Sequence, residues 1–309
     1  MNNFTTINFA ILVAIFSVLS TGNLEAQIVK IDSLTPWKKS FKAGLNINQA
    51  SFSSNWKAGG VNSIGINVFL NYKVDYSKGK DTWNNEFDFL FGMVNNQGLG
   101  YRKTLDRIFI DSKYGRVLSK HWNLFVAGNI QSQFAKGYKY EKDANGVDQT
   151  KLTSSTLSPL FTTLSVGFEY NPVSYFHIRI SPLAPRITYL NSNDGRFKFV
   201  DPLKPYGVEV NKSSRFELAS FLLTMDFDKD LAPNLNLKWR YLLYANYQTL
   251  EGKLIDHRFD ISLVTKVAKF VNVSLNGIFL YDYDQDHSPQ LSQSFSLGFL
   301  YTFQNYKKE

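Results

Sequence analysis

The sequence of 309 residues predicts an all-β protein, a transmembrane antiparallel up-and-down β-barrel of about 12 strands that follows an N-terminal signal peptide. Three observations lead to this fold class. After the N-terminus, no stretch approaches the ~20 apolar residues that a membrane helix needs. Apolar and polar residues alternate along most of the chain, as in a strand with two different faces. These alternating segments run to about a dozen residues, which is enough for a tilted strand to cross a membrane.

The composition excludes several other classes of protein. The chain has no Cys, so a disulfide scaffold, a zinc ribbon and a thiol enzyme are all excluded. Its 34 basic and 26 acidic residues give a formal net charge of +8, but the basic residues are dispersed along the predicted strands. A nucleic-acid partner is therefore not expected, because such binding needs a basic patch.

The N-terminus predicts export from the cytoplasm. Residues 9–19 are apolar except for Ser17, and a polar segment then leads to a cleavage site after Ala26. A buried core helix is the alternative, but the rest of the chain shows no helical apolar period. The expected organisation is a signal peptide (1–26), a short periplasmic segment (27–40), the barrel (41–304) and a periplasmic C-terminal tail (305–309).

Strand length separates a membrane barrel from a soluble β-sandwich, whose strands usually have ~5 to 6 residues. The segment from Ile64 to Val74 is typical, and only Phe69 interrupts its polar face. An even number of strands is expected, near residues 41–49, 61–76, 82–93, 103–117, 121–135, 157–171, 174–190, 215–228, 234–247, 255–268, 270–283 and 292–303. With no helix to cover such a sheet, closure into a barrel is the best arrangement.

The predicted connections alternate between two lengths. Short turns fall at residues 77–81, 118–120, 172–173 and 229–233, and mostly longer loops at 50–60, 136–156, 191–214 and 284–291. This alternation is typical of outer-membrane barrels with both termini in the periplasm. We therefore expect an integral protein of the bacterial outer membrane, in contact with its lipid and lipopolysaccharide. The loops 136–156 and 191–214 could fold inward and constrict the lumen.

One predicted strand changes phase. Ile178 and Ile180 share one face, but Ile187 lies on the opposite parity, so the phase flips within residues 181–185. We interpret the segment as one strand with a bulge, because a hairpin there would give thirteen strands. The bulge would keep both Arg179 and Arg186 inside, where they could approach one level and pair with carboxylates such as Glu169.

Strand parity places a set of charged side chains and one histidine inside the barrel. They are Lys73, Glu86, Asp88, Asp111, Lys113, Glu169, His177, Arg179, Arg186, Lys238, Arg240, Arg258, Asp260 and Lys266. With Asp282, the eight basic and six acidic residues nearly balance. Two hypotheses remain open: a narrow or gated pore for small hydrophilic solutes, and a closed barrel that is filled by ion pairs and has a structural or envelope-scaffold role.

Trp56, Gly59, Gly60 and Asn62 form a motif in the first long loop. Two adjacent glycines allow a sharp turn or a close approach to a ligand, and the Trp could stack on a sugar. We favour an anchoring role at the membrane interface, because aromatic residues are expected at barrel rims.

Asp282, Asp284 and Asp286 are spaced like the first ligands of a calcium loop. However, His287 and Gln293 replace the glycine and the glutamate that such a loop requires. A divalent-cation site and a solvated strand end are both consistent with this pattern, and the latter is the default. No cofactor is predicted.

A barrel-embedded hydrolase is a weaker alternative. His177, Ser165 and Ser220 all have inward parity, so a Ser–His pair is conceivable. The chain nevertheless lacks the G-x-S-x-G and H-E-x-x-H motifs. We therefore expect that the protein is not an enzyme.

Several short motifs occur in a characteristic order. They are Trp56-Lys-Ala-Gly-Gly-Val-Asn62, Asn71-Tyr72, Trp83-Asn-Asn85, Arg102-Lys-Thr-Leu-Asp106, Ser112-Lys-Tyr-Gly115, Gln133-Phe-Ala-Lys-Gly-Tyr-Lys-Tyr140 and Ser181-Pro-Leu183. Together they resemble an uncharacterised domain-of-unknown-function family of Bacteroidota outer-membrane β-barrel proteins. The resemblance implies the fold and the location, and it implies no activity.

Overall fold

The computed structural model describes residues 35–53, 57, 60–191, 204–209, 211–268 and 270–306. The predicted signal peptide lies outside these residues, as do Trp56 and Gly59. The described strands are β1 (Trp37–Ala50), β2 (Ser63–Lys78), β3 (Asp81–Asn96), β4 (Gly100–Val117), β5 (Trp122–Ser132), β6 (Gly137–Lys142), β7 (Asp148–Ser154), β8 (Leu160–Val173), β9 (Phe176–Leu183), β10 (Arg186–Tyr189), β11 (Ser214–Glu217), β12 (Ser220–Ala232), β13 (Leu235–Asn246), β14 (Asp256–Lys266), β15 (Val271–Tyr281) and β16 (Gln290–Gln304).

Antiparallel pairing closes the sheet into a barrel. Neighbouring strands pair in the order β1, β2, β3, β4, β5, β8, and β1 also pairs with β16. β9 and β10 both pair with β8 and together make one wall strand, and β11 and β12 make the next. The described residues therefore form twelve wall strands, which confirms the predicted fold, while β6 and β7 form a separate hairpin.

The two ends of the barrel differ in their connections. At one end, short turns join β2 to β3, β4 to β5, β8 to β9, β12 to β13 and β14 to β15. The first wall strand begins at this end, at Trp37, and the last wall strand finishes there, at Gln304. β1 begins four residues earlier than the predicted position 41. At the opposite end, the β3–β4 loop is shorter than expected, because Gly98 and Gly100 adopt φ angles of 85° and 69° that allow a tight turn.

The wall has an apolar outer face and a polar inner face. Large apolar side chains are exposed on the outside; examples are Leu45, Val126, Leu164, Leu275 and Phe295. The buried side chains are mostly polar or charged and lie inside, among them Ser40, Asn46, Asp111, Lys113, Thr163, Ser165, Glu169, Asn272 and Ser296. This distribution is the reverse of a soluble protein and is typical of a barrel with lipid outside and a hydrated lumen.

Aromatic side chains cluster around the short-turn end. Trp37 lies 4.8 Å from Tyr76, measured between ring centroids, and Trp122 lies 4.9 Å from Tyr170. Further round the barrel, the ring of Trp239 stacks on that of Phe227 at 5.6 Å. Such a belt is the aromatic girdle that membrane barrels place at the level of the lipid headgroups.

The bulge lies where the sequence predicts it. Ile180 is opposite Phe168, but Leu183 is opposite Val166, so three steps on β9 match two on β8. Gly167 permits this arrangement, because a Cβ there would overlap the backbone carbonyl oxygen of Ile180. Arg179 and Arg186 consequently both turn into the barrel.

Within the described residues, no helix has the length and apolar character needed to span a bilayer.

Candidate functional site: the barrel lumen

Ion pairs connect facing walls of the lumen. Glu86 on β3 accepts hydrogen bonds from Arg240 at 2.9 Å and from Lys238 at 3.3 Å, both on β13. β3 and β13 are six wall strands apart in a barrel of twelve, so these contacts cross its full width. Lys73 adds a third cation 3.4 Å from Glu86.

A second crossing lies beside the first. Arg107 on β4 is 2.8 Å from Asp88 on the neighbouring β3 and 3.6 Å from Asp260 on the opposite β14. Arg258 also holds Asp260 through two hydrogen bonds of 2.8 Å. We call the set that joins the facing walls the ion-pair septum; it comprises Glu86, Asp88, Arg107, Asp226, Lys238, Arg240 and Asp260.

A further group of charges lies on the wall formed by β4, β5, β8 and β9. Lys113 pairs with Glu169, and Arg179 contacts Asp111 at 2.9 Å and Glu169 at 3.4 Å. Asn123 donates a hydrogen bond of 3.1 Å to the other oxygen of Glu169. Since the side chain of Glu169 is almost fully buried, this set of partners compensates the cost of desolvating it.

Arg186 does not join Glu169, contrary to the sequence expectation. Its guanidinium group lies 3.3 Å from the ring centroid of Tyr244 and donates to Asp256 at 2.9 Å. The residues between 179 and 186 carry it toward the loop end of the barrel, where Asp256 begins β14. The two arginines therefore belong to different clusters.

One cavity lies on each side of the septum. The lower cavity, of about 350 Å³, extends from the septum toward the short-turn end, with Asp88, Arg107 and Asp260 at one limit and Asn234 and Gln304 at the other. Lys266 lines it, and so do many amide and hydroxyl side chains. The upper cavity, of about 890 Å³, lies at the loop end and is lined by Arg186, Arg215, Glu217, Tyr244 and Asp256, among others.

The loop segment 204–209 covers part of the upper cavity. The Tyr206 hydroxyl donates to the carbonyl oxygen of Thr153, near the end of β7, and its backbone N–H donates to the carbonyl oxygen of Asp284, after β15. Burial raises the pKa of the Tyr206 hydroxyl above its usual range. This segment thus contacts two sides of the barrel at its loop end. The sequence predicted that the loop 191–214 could fold inward and constrict the lumen, and residues 204, 206, 207 and 209 do line the cavity.

The predicted calcium ligands do not converge. Asp284 pairs with Arg215, Asp286 accepts the backbone N–H of Ser288, and Asp282 accepts the N–H of Asp284. Burial and the neighbouring Asp284 raise the pKa of Asp282. Among the described residues, no group of three His, Cys, Asp or Glu side chains could hold a metal ion.

The other predicted site residues have structural partners. His177 forms a hydrogen bond of 2.6 Å with the side-chain oxygen of Asn171, whereas the Ser220 oxygen accepts one from Tyr244. Asn62 accepts the backbone N–H of Phe52 at 2.6 Å and donates to Gln97 at 2.9 Å. Gly60 packs against the ring of Phe52, and its φ of 148° favours glycine.

The sequence prediction missed several charged residues of the lumen, including Arg107, Asp226 and Asp256. Arg107 and Asp226 belong to the septum, and Asp256 holds Arg186. Alternation along the strands could have identified such residues. Arg107 lies four residues before Asp111 and therefore shares its inward face, and Asp256 lies two residues before Arg258. Their partners on facing walls carry no signal in the sequence.

The fold and the lumen together define a closed, twelve-stranded antiparallel barrel with an apolar outer wall and a charged interior. Residues 47–138 match the family described as Protein of unknown function (DUF3078). This match confirms the resemblance to an uncharacterised family over that part of the chain. None of the curated proteins compared matches the sequence.

Solved bacterial barrels align with most of the chain. The COG4313 outer membrane channel from Pseudomonas putida F1 has 9% identity over 87% of this chain and 96% of that chain, with a TM-score of 0.40. The translocator domain of autotransporter NalP from Neisseria meningitidis has 11% identity over 86% of each chain, with a TM-score of 0.35. The P. putida toluene transporter TodX has 8% identity over 94% and 98%, with a TM-score of 0.28. At these TM-scores the similarities carry no functional argument.

Proposed function

We propose that the protein is an integral barrel of the bacterial outer membrane that forms a gated pore for small hydrophilic solutes. The observation that carries this proposal is the pair of cavities, of about 350 and 890 Å³, with the side chains of the ion-pair septum between them. Side chains can exchange ion-pair partners without unpairing a strand, so the septum can open while the wall stays closed.

The membrane location rests on the outer wall. Its exposed apolar side chains and its aromatic belt match the band that lipid requires. The longer loops then face the cell exterior and contact lipopolysaccharide, and both termini lie in the periplasm, because short turns are periplasmic in such barrels.

Cysteine accessibility tests this location, since the chain has no native Cys. We expect cysteine at 179 and at 186 to react with a small hydrophilic thiol reagent in outer-membrane vesicles. Cysteine at 178 or 180 should be shielded by lipid. Equal labelling of positions 178 and 179 would show that the assigned faces are wrong.

Conductance in planar bilayers tests the pore. The proposal predicts channel activity of the refolded wild-type barrel, whose folding is verified by heat-modifiable migration on a gel. A folded barrel that stays silent across a wide voltage range would contradict the pore.

A closed scaffold barrel is the second candidate, and the ion pairs across the lumen favour it. Glu86 alone contacts three cations, which is the filling expected of a lumen without transport.

We propose no catalytic role in either case. Loss of ester hydrolysis in His177→Ala, from a preparation that shows such hydrolysis, would contradict this.

A further inference from the structure

The lower cavity has one wall that is lined mainly by uncharged polar groups. It is built from the inner faces of β1, β2, β15 and β16, and its side chains include Asn46, Asn67, Asn272, Asn276, Ser274 and Ser294. Amide and hydroxyl groups both donate and accept hydrogen bonds, so such a wall matches a solute whose surface does the same.

Three of these asparagines lie in one row across the sheet. Asn272 is opposite Gly298, Gly298 is opposite Asn46, and Asn46 is opposite Asn67. Gly298 gives the row its shape, because a Cβ at this position would overlap Oδ1 of Asn46. The amide of Asn46 thus lies over the backbone of Gly298, on the side of Asn272.

Two acceptors in this row have no protein partner. Oδ1 of Asn46 and Oδ1 of Asn272 are buried, and neither has a hydrogen bond within the described part of the protein. The two residues are only 5% and 1% exposed, yet both line the cavity. A buried acceptor without a partner is costly, so a hydrogen-bond donor that reached either amide from the cavity would be bound favourably.

An aromatic ring completes the wall. Phe69, which interrupts the polar face of its strand in the sequence, turns inward and lies against Gly44. A Cβ at Gly44 would overlap this ring, so glycine lets it lie close to the wall. Such a ring can stack on the C–H face of a pyranose, while amides bind its hydroxyls.

We propose that the lower cavity is a binding site for a neutral saccharide. The inference rests on the proposed solute pathway and names the class of solute that it selects. The carboxylates at the septum side, Asp88 and Asp260, are already paired with Arg107, so they do not demand a cationic solute. Lys42 and Lys266 also line the cavity, and an anionic solute is therefore the competitor that the test must separate.

The experiment uses the refolded barrel in detergent and saturation-transfer NMR with maltose as the probe. Transfer from the protein to the sugar protons is expected, with a weaker response from glutamate. Asn46→Ala and Asn272→Ala should each lower maltose affinity by about fivefold, since each removes one hydrogen bond worth ~1 kcal/mol. Phe69→Leu should reduce transfer to the C–H protons.

Matched variants separate binding from folding. Asn129→Ala alters an amide on β5 outside this cavity, and Phe41→Leu removes an outward ring that contacts Tyr72 and Tyr301. Neither should change maltose binding. The three cavity variants should keep the heat-modifiable migration of the wild type, because the two Ala variants remove acceptors that lack a partner.

Three results would overturn the inference: no transfer to maltose, tighter binding of glutamate than of maltose, or equal maltose binding by cavity and control variants. Conductance by wild-type barrels that do not bind maltose would overturn this inference alone. Folded barrels that bind maltose but never conduct would overturn the proposed pore alone.

Discussion

Two parts of the lower lumen differ in how their side chains meet. On β3, β4, β13 and β14, charged side chains reach across the barrel and join in the septum. On β1, β2, β15 and β16, amides and hydroxyls stay close to their own wall and leave a cavity of about 350 Å³ in front of them.

The difference shows what fills a barrel of this width. Long charged side chains gain from meeting an opposite charge inside the barrel, and they cross its lumen. Short amides beside glycines cannot reach the facing wall, so they bind neighbours or remain open to a solute. The same alternation of inward and outward residues therefore produces a closed part and an open part of one lumen.

The largest expected effect comes from the charged residues of the septum. Glu86→Gln leaves Lys73, Lys238 and Arg240 without one of their counter-charges, so we expect a loss of about 3 kcal/mol in the free energy of unfolding. Urea unfolding in detergent micelles, followed by heat-modifiable migration, measures it.

The matched control is Glu141→Gln on the β6–β7 hairpin. Glu141 also contacts two lysines, Lys139 and Lys151, but this group is exposed to solvent. Its loss should destabilise the barrel much less than the loss of Glu86 does, because solvent screens an exposed ion pair. Equal losses for the two variants would show that the septum is as well hydrated as the surface.

A smaller effect is expected on the amide wall. Gly298→Ala places a Cβ against the carbonyl oxygen of Leu45 and the amide of Asn46. Because backbone has to move, we expect a cost of about 2 kcal/mol and weaker maltose binding. Gly128→Ala is the control, since its Cβ would meet only the Leu164 side chain, at 3.4 Å. If both variants unfold at the wild-type urea concentration, the close approach at Gly298 does not exist.

Local pattern was enough to predict the wall. The alternation around Ile64 to Val74, the strand number and the flip within residues 181–185 all follow from which face must be apolar, and the structure confirms them. A phase flip can be detected because Arg179 and Arg186 would otherwise lie on opposite faces, at a cost of ~2 to 4 kcal/mol in lipid.

Contacts across the lumen could not be predicted in the same way. Parity places Glu86 and Arg240 inside, but which of them meet depends on the stagger of twelve strands around the barrel. Arg186 shows the consequence, because it pairs with Asp256 and not with Glu169. The hydrogen bonds of Tyr206 to Thr153 and Asp284 are likewise set by tertiary packing and have no periodic signal in the sequence.

The most direct test of a septum that gates a solute pathway is the conductance of Glu86→Gln beside the wild type, in planar bilayers under the same salt gradient. Our account predicts a larger conductance for the variant and a shift of the reversal potential toward anion selectivity, because three cations then lack a counter-charge in the lumen. Identical conductance and selectivity of two folded barrels would contradict it.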